Sequence, residues 1–524
     1  MATFVRDYGC INLLESSGSA GAAGKFLVRT RPCAGRKRMI QGPGERRRTG
    51  RHESLPTLAR GEHSRPVSMN SSTRFPRRRF LRQAATAATA VVGARYLGVP
   101  SLRAAGGANS KLGVAVIAAD GMGGYSFDMA MKERFVAVCD VDDNKMAAKL
   151  KYFSEKVKDQ PAPKAYFDYR KMLDECHKDI DVVLIATPDH HHAPAAIRAI
   201  HLGKAVFSQK PLAHNIYECY ALAKAAREKK VLTQMGNQGH CSEVIRQACE
   251  FIWAGAIGNV TETHSLLGRD FGGSGGRPAS KPIPAGLHWD EWLGPAPYRD
   301  YHDGLHTFGW RNWRQFGTGT IGDMACHNLD ALFWALKIGE AKSFTVECLQ
   351  TKGGSDEMWP QSNVVRYEIP ARAGMVPVKV NVYDNASLRS DFMKEVEQKY
   401  NLKLGEDTLF VGDKGLLRTG GTCGSVSFLP EERRYEIPQP PKSIPRAHGG
   451  PIEDLFHACK NGTVPCSNFP DASAPLTAFA LTGHLAQFAG VGRKLEWDVA
   501  AMKCTNVPEI NRYVRREYRD GWEV

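Results

Sequence analysis

Between residues 112 and 235, short and wholly apolar runs alternate with longer helical stretches, and this alternation leaves the chain very few folds. The runs are Leu-Gly-Val-Ala-Val-Ile-Ala at 112–118, Phe-Val-Ala-Val-Cys-Asp at 135–140, Asp-Val-Val-Leu-Ile-Ala-Thr at 181–187, Ala205 to Ser208 and Val231 to Met235. Helical patterns near 143–158, 191–202 and 215–229 separate the later ones. A strand that is apolar along its whole length must be buried on both faces. Strands of that kind alternating with helices predict a doubly wound α/β Rossmann domain. The first run leads into a glycine-rich turn, Asp120-Gly121-Met122-Gly123-Gly124, before a helix. Such a turn aims backbone N–H groups and a helix dipole at a pyrophosphate, so Gly121, Met122 and Gly123 are candidate dinucleotide contacts.

Asp140 ends the second run, 22 residues past Ala118. A carboxylate there hydrogen-bonds ribose hydroxyls and repels a 2′-phosphate, so NAD is favoured over NADP. The fingerprint departs from pattern. Against G-x-G-x-x-G the chain reads Ala118-Ala119-Asp120-Gly121-Met122-Gly123, and only the third glycine is kept. Asp120 stands where backbone should approach the pyrophosphate. Either it repels that anion, or Gly121, Gly123 and Gly124 form a shifted turn with Asp120 directed away.

From about residue 240 the rhythm changes. A helix is expected over 242–254, and strands at 260–267, 344–349, 364–369, 376–383, 408–412 and 425–429, with closing helices at 454–459 and 476–489. This describes an α+β domain with an open, mostly antiparallel sheet. A Gly/Pro/Ser-rich stretch from Gly272 to Pro284 reads as a lid or binding loop. The expected division is a Rossmann domain at 106–236, a second domain at 237–500 and a tail at 501–524.

The chain carries a formal charge of +15. All of it lies in residues 1–103, which hold 20 Lys/Arg and 5 Asp/Glu, so the body is neutral. That excludes a basic phosphate-binding surface, and no nucleic-acid partner is expected. Residues 1–68 read as a disordered or mis-started leader, with Met69 as the better beginning. Arg77-Arg78-Arg79-Phe80-Leu81 and the Ala-rich stretch to Ala94 resemble a twin-arginine signal, placed at 69–105. The twin-arginine export machinery and a periplasmic location follow as expectations. The 13 cysteines show no paired spacing and read as small buried side chains, with no metal site expected.

A more specific signal lies in residues 186–196, Ala-Thr-Pro-Asp-His-His-His-Ala-Pro-Ala-Ala, and in Gln209-Lys210-Pro211-Leu212. With Gly236-Asn237-Gln238-Gly239-His240, Trp310-Arg311-Asn312-Trp313, Gly322-Asp323-Met324-Ala325-Cys326-His327 and Lys494-Leu495-Glu496-Trp497-Asp498, it resembles the Gfo/Idh/MocA oxidoreductases, named for glucose–fructose oxidoreductase and inositol dehydrogenase. The resemblance spans about residues 111–522. It implies a cofactor beside Thr187, Pro188, His192 and Lys210, a reaction centre of Lys210, Asp323 and His327, a carbohydrate substrate and a homo-oligomer. Gln209 departs from the family's Glu-Lys-Pro, removing a charge beside Lys210.

Oxidising a sugar hydroxyl needs a base for its proton and a donor for its oxygen. His327 suits the base, because its side chain titrates near neutrality. Asp323 lies four residues earlier, on the same helix face, as its orienting partner or as a ligand for a substrate hydroxyl. Gly319 and Gly322 favour a turn just before that helix. Lys210 hydrogen-bonds the reacting oxygen. Trp310, Arg311, Trp313, His302 and His306 either line a sugar site or form a packed aromatic loop. His190-His191-His192 cannot converge on one ion from a regular element. An NAD(P)-dependent oxidoreductase acting on CH–OH groups is the leading reading. A non-redox or cofactor-recycling lyase or hydrolase of oxidised glycosides, or a carbohydrate-binding relative without catalysis, stand beside it.

Overall fold

The computed structural model describes residues 111–524, so the leader and the twin-arginine segment lie outside the described residues. Six parallel strands form the first sheet: β1 (Gly113–Ile117), β2 (Arg134–Cys139), β3 (Lys164–Tyr166), β4 (Val182–Ile185), β5 (Ala205–Ser208) and β6 (Thr233–Met235), in the order β3-β2-β1-β4-β5-β6. Along β1, Val114 and Val116 pack into the core on one face, and Ala115 and Ile117 into the core on the other. That two-sided burial is why the strand carries no polar residue, and each large side chain so buried contributes about 1.5–3 kcal/mol. Five helices cross between the strands: α1 (Gly123–Ala130), α2 (Asp143–Lys156), α3 (Tyr169–Cys176), α4 (Asp189–His201) and α5 (Ile216–Lys229). Asp142, Asp168 and Asn215 cap α2, α3 and α5 by accepting from backbone N–H groups of their first turns. Strand order reverses between β1 and β4, which opens a crevice at their carboxyl ends.

The second sheet has nine strands: β7 (Val260–Leu266), β8 (Ser343–Gly353), β9 (Pro360–Ile369), β10 (Val378–Tyr383), β11 (Thr408–Gly412), β12 (Gly415–Thr419), β13 (Val426–Leu429), β14 (Leu495–Asp498) and β15 (Lys503–Cys504). Their order is β13-β12-β11-β7-β10-β9-β8-β14-β15. Only β7 and β10 run parallel; the other pairs are antiparallel. The helices of this half are α6 (Glu243–Trp253), α7 (Trp289–Leu293), α8 (Gly319–Asn328), α9 (Asp330–Ala335), α10 (Asp391–Lys399), α11 (Arg433–Glu436), α12 (Pro451–Asn461) and α13 (Ala474–Ala489).

Packing crosses the expected boundaries at 237 and 500. Ile452, Leu455 and Phe456 of α12 complete the core on the β1 Val114/Val116 face of the first sheet. β14 and β15 close the second sheet across position 500. The final residues then return to the first domain. Tyr217 N–H donates to Val514 O at 3.0 Å, and Trp522 packs edge-on against Tyr169 and His191. Gly319 and Gly322 do not precede their helix: α8 starts at Gly319, where φ is 55°, and Gly322 lies in its first turn.

Candidate active site

The glycine turn joins β1 to α1. Ala118 adopts φ 68° and Gly121 φ 58°, so the first fingerprint position keeps the left-handed backbone although an alanine holds it. An L-residue there is strained by about 1–2 kcal/mol. Gly123 opens α1, and a Cβ on it would collide with the Ala118 carbonyl. This glycine is required by the close approach of helix to strand. Asp120 reaches outward to α2, 3.5 Å from Lys145 and 3.6 Å from Lys149. Partial burial opposes its charge, but the Gly121 N–H and these two lysines hold its carboxyl below the usual range. The turn is therefore shifted, with Asp120 directed away and its charge matched.

Asp140 braces the same turn. One oxygen accepts from Ala119 N at 2.9 Å and the other from Asp142 N at 3.1 Å. Burial raises its carboxyl despite those bonds. A carboxylate has about four acceptor sites, so two are left for ribose hydroxyls. Thr187 Oγ1, just past β4, is buried without a hydrogen-bond partner among the described residues. A left-handed turn, a glycine held against the strand, an acid ending β2 and an unsatisfied hydroxyl past β4 fit a dinucleotide.

Lys210 follows β5. Its Nζ donates to Asp323 Oδ1 at 3.0 Å and to the Asp323 carbonyl at 3.1 Å. Arg311 Nε donates to the same Oδ1 at 3.3 Å. Burial works against the Asp323 charge, but Lys210 and then Arg311 hold its carboxyl below the ordinary value. Asp323 thus supplies the counter-charge that Gln209 no longer gives Lys210. One turn along α8, burial and then the Lys210 charge push the His327 imidazole down to about 3, so the ring is neutral and does not titrate near neutrality as the sequence led one to expect. Its Nδ1 is buried without a partner among the described residues. The Asp323 carboxylate accepts from Lys210 and Arg311 rather than from His327, so its orienting role falls on the lysine.

Sequence reasoning missed Asp189. This buried carboxyl opens α4 and accepts from Thr318 Oγ1 at 2.7 Å. Burial and then the Asp323 charge push it up to about 7. An acid in the first turn of a helix is an ordinary pattern, so only tertiary burial distinguishes it.

Each of the three histidine rings is held by backbone carbonyls. His190 and His191 both donate through Nε2 to the Trp292 carbonyl, at 3.0 and 2.9 Å. His192 sits between the carbonyls of Pro211, 2.7 Å from Nδ1, and Thr187, 2.9 Å from Nε2. Burial pushes it down to about 4, so a neutral ring donates to one of the two. It ties the end of β4 to the Lys210-Pro211 turn. Trp310 and Trp313 are buried in an aromatic cluster with Trp289, Trp292 and Phe316. His302 is buried against Arg299, and His306 bonds Asp142 at 3.1 Å. The packed-loop alternative describes these four. Arg311 alone of the group reaches the centre, stacked over Trp310 and the exposed ring of Phe308.

Residues 90–237 match a family model described as an oxidoreductase family with NAD-binding Rossmann fold, and residues 271–367 match its C-terminal alpha/beta domain. These matches support the Gfo/Idh/MocA oxidoreductase family. Levoglucosan dehydrogenase of Pseudarthrobacter phenanthrenivorans is 27% identical over 164 residues, 31% of this chain and 34% of that protein. Inositol 2-dehydrogenase of Salmonella typhimurium is 30% identical over 130 residues, 25% of this chain and 36% of that protein. The chain thus spans about a third of the length of these curated relatives. The WlbA dehydrogenase from Chromobacterium violaceum, solved with NADH and UDP-GlcNAcA, superposes with a TM-score of 0.51 at 16% identity, covering 75% of this chain and 97% of that one. That likeness bears on the Gfo/Idh/MocA fold alone.

Proposed function

We propose that the protein is an NAD-dependent oxidoreductase that removes hydride and a proton from a hydroxyl-bearing carbon of a sugar, cyclitol or related polyol. The observation that carries the reading is the junction of Lys210, just past the carboxyl end of β5, with Asp323, one helical turn from a buried neutral His327. Gly121, Met122, Gly123 and Asp140 hold the dinucleotide, with Thr187, Pro188, His192 and Lys210 at its reactive end. Bound NAD supplies the hydride acceptor. Lys210, oriented by Asp323, donates a hydrogen bond to the reacting oxygen and stabilises its alkoxide-like form. His327, kept neutral by its burial, takes the hydroxyl proton on its imidazole. Arg311, on the same oxygen, helps to hold Asp323 ionised. Favouring NAD over NADP rests on the acids at the end of β2, Asp140 and Asp142, which disfavour a further phosphate.

The test is to denature purified protein and identify any released nucleotide, then to follow NADH formation with a panel of polyols. Folded protein that neither retains nor binds NAD(H) or NADP(H) would sink the reading. We further propose twin-arginine export to the periplasm and assembly as a homo-oligomer. A periplasmic amino terminus near Ala104 to Gly107, lost on Arg77→Lys/Arg78→Lys, supports export; unprocessed cytoplasmic protein refutes it. Light scattering that reports a monomer refutes the assembly.

A further inference from the structure

Cys241 ends the turn Gln238–Cys241 that leads from β6 into α6, and Cys466 lies between α12 and α13. Their sulfurs are 3.2 Å apart although 225 positions separate them in sequence. Both positions are held from independent directions. Cys466 N–H donates to Asp454 Oδ2 at 2.8 Å, and its neighbour Ser467 donates to Gln234 Oε1 at 2.9 Å. The turn before Cys241 is held by Arg246, which donates to the His240 carbonyl at 2.7 Å. Gln234 Nε2 faces both sulfurs, at 3.4 Å from Cys241 and 3.6 Å from Cys466. Neither cysteine is fully buried, unlike the other nine free cysteines among the described residues.

A metal is the competing use, since a carboxylate oxygen of Asp454 lies within 4.8 Å of both sulfurs. Two thiolates on a tetrahedral zinc stand about 3.8 Å apart, from Zn–S bonds of about 2.3 Å. The observed pair is closer. Asp454 is also engaged, accepting from His448 N and from Cys466 N, both at 2.8 Å.

We propose that Cys241 and Cys466 form a disulfide on contact with a disulfide oxidant, stapling the entry of the second domain to the segment that follows α12. Cys466 is the attacking sulfur. Donation from the Cys241 thiol, with the His240 and Gln234 contacts, draws its thiol down to about 7. Its thiolate attacks one sulfur of the oxidant, the oxidant's S–S bond breaks, and one thiolate leaves. Cys241 then loses its proton and attacks the Cys466 sulfur, releasing the second oxidant thiol. Two thiols lose two electrons and two protons, and one external disulfide becomes two thiols.

The segment joined is one the reaction centre leans on. Ser467 Oγ donates to Asn237 Oδ1 at 2.7 Å, and Asn237 and His240 both bond Asp330, which opens α9 directly after α8.

The experiment treats full-length protein with glutathione disulfide, unfolds it without reductant, alkylates free thiols and maps the peptides. The expected result is two fewer alkylated cysteines than in a reduced sample and one peptide joining residues 241 and 466, lighter by two hydrogens. Cys241→Ser and Cys466→Ser each abolish that peptide, and oxidation raises the thermal midpoint of the parent but of neither variant. Equal alkylation in both samples, a persistent glutathione adduct on Cys466, a linkage between other cysteines, or stoichiometric zinc lost from either variant each overturns the proposal.

Discussion

Lys210→Met keeps the apolar stem of the side chain and removes only the ammonium. That group lies 3.0 Å from Asp323 Oδ1, with 13% of the lysine side chain and 8% of the aspartate side chain exposed. At an effective dielectric constant of about 20 the gross attraction at that distance is about 5 kcal/mol, largely offset by desolvation. Arg311 remains on the same oxygen at 3.3 Å, so the fold survives a loss of about 1–3 kcal/mol, below that of a fully broken buried pair. Catalysis loses a donor that matters most as charge builds on the oxygen. The expected fall in kcat is about 10²–10³-fold, with NADH affinity within a few-fold of the parent. The second readout is the pH profile. Burial first, and the Lys210 charge second, depress the His327 imidazole. Removing that cation lets the imidazole protonate more readily, so the acid limb of kcat/KM moves to higher pH. Stopped-flow reduction of NAD across pH measures both effects. A kcat within three-fold of the parent, or an acid limb that stays or moves down, refutes the assignment.

Asp120→Gly removes a carboxylate from the pyrophosphate turn and frees Lys145 and Lys149; NADH is expected to bind several-fold more tightly at low salt, with the gain fading as salt screens it. Fluorescence titration at two ionic strengths checks this, and weaker binding contradicts it. Gly123→Ala drives a methyl into the Ala118 carbonyl, which as backbone cannot yield; a loss of about 1–3 kcal/mol in stability and at least ten-fold in NADH affinity is expected by thermal melting and titration. Burial pushes His191, His327 and His484 down to about 3 and His192 to about 4. Their folded values lie below the unfolded value near 6.5, so their full contribution holds above about pH 6.5 and is lost as pH falls toward 3, by about 1.4 kcal/mol per pH unit for each group. Asp189, raised to about 7, and Asp384, raised to about 8 by burial, act oppositely, losing stability as pH rises from about 4 to those values. The histidines outnumber them, so the urea midpoint is expected to fall steeply between about pH 6 and 4; a flat midpoint there contradicts their burial as neutral rings.

The centre of the first sheet was legible in sequence because burial on both faces leaves no polar residue to blur β1 or β4. The run at 205–208 coincides with β5, and the runs at 112–118 and 135–140 meet β1 and β2 within one residue at each end. The strand β3 escaped because its three residues sit at a half-exposed edge, and α3 because eight residues show barely two turns of periodicity. In the second sheet β8 continues through Gln350, Thr351 and Lys352, exposed positions where hairpin pairing to β9 rather than apolarity sustains the strand. Lys210, Asp323 and His327 were found through motifs, and the fold brings the lysine and aspartate into contact. Arg311 was named but its partner was not, since no local pattern links residue 311 to residue 323. The direction of Asp120 was latent in Lys145 and Lys149, one helical turn apart on the facing side of α2.

The placement of α12 has a consequence for how the protein is made. A ribosome adding about 5–20 residues per second completes β6 roughly 10–40 s before it delivers Ile452, Leu455 and Phe456. Throughout that interval α1 and α2 cover only part of this face, and the part over β5 and β6 that α12 will bury stays open as a sticky apolar surface. Completion of this core must then wait until residues 451–461 have been made, so a chain stopped short of residue 450 carries the entire nucleotide turn on an unfinished sheet.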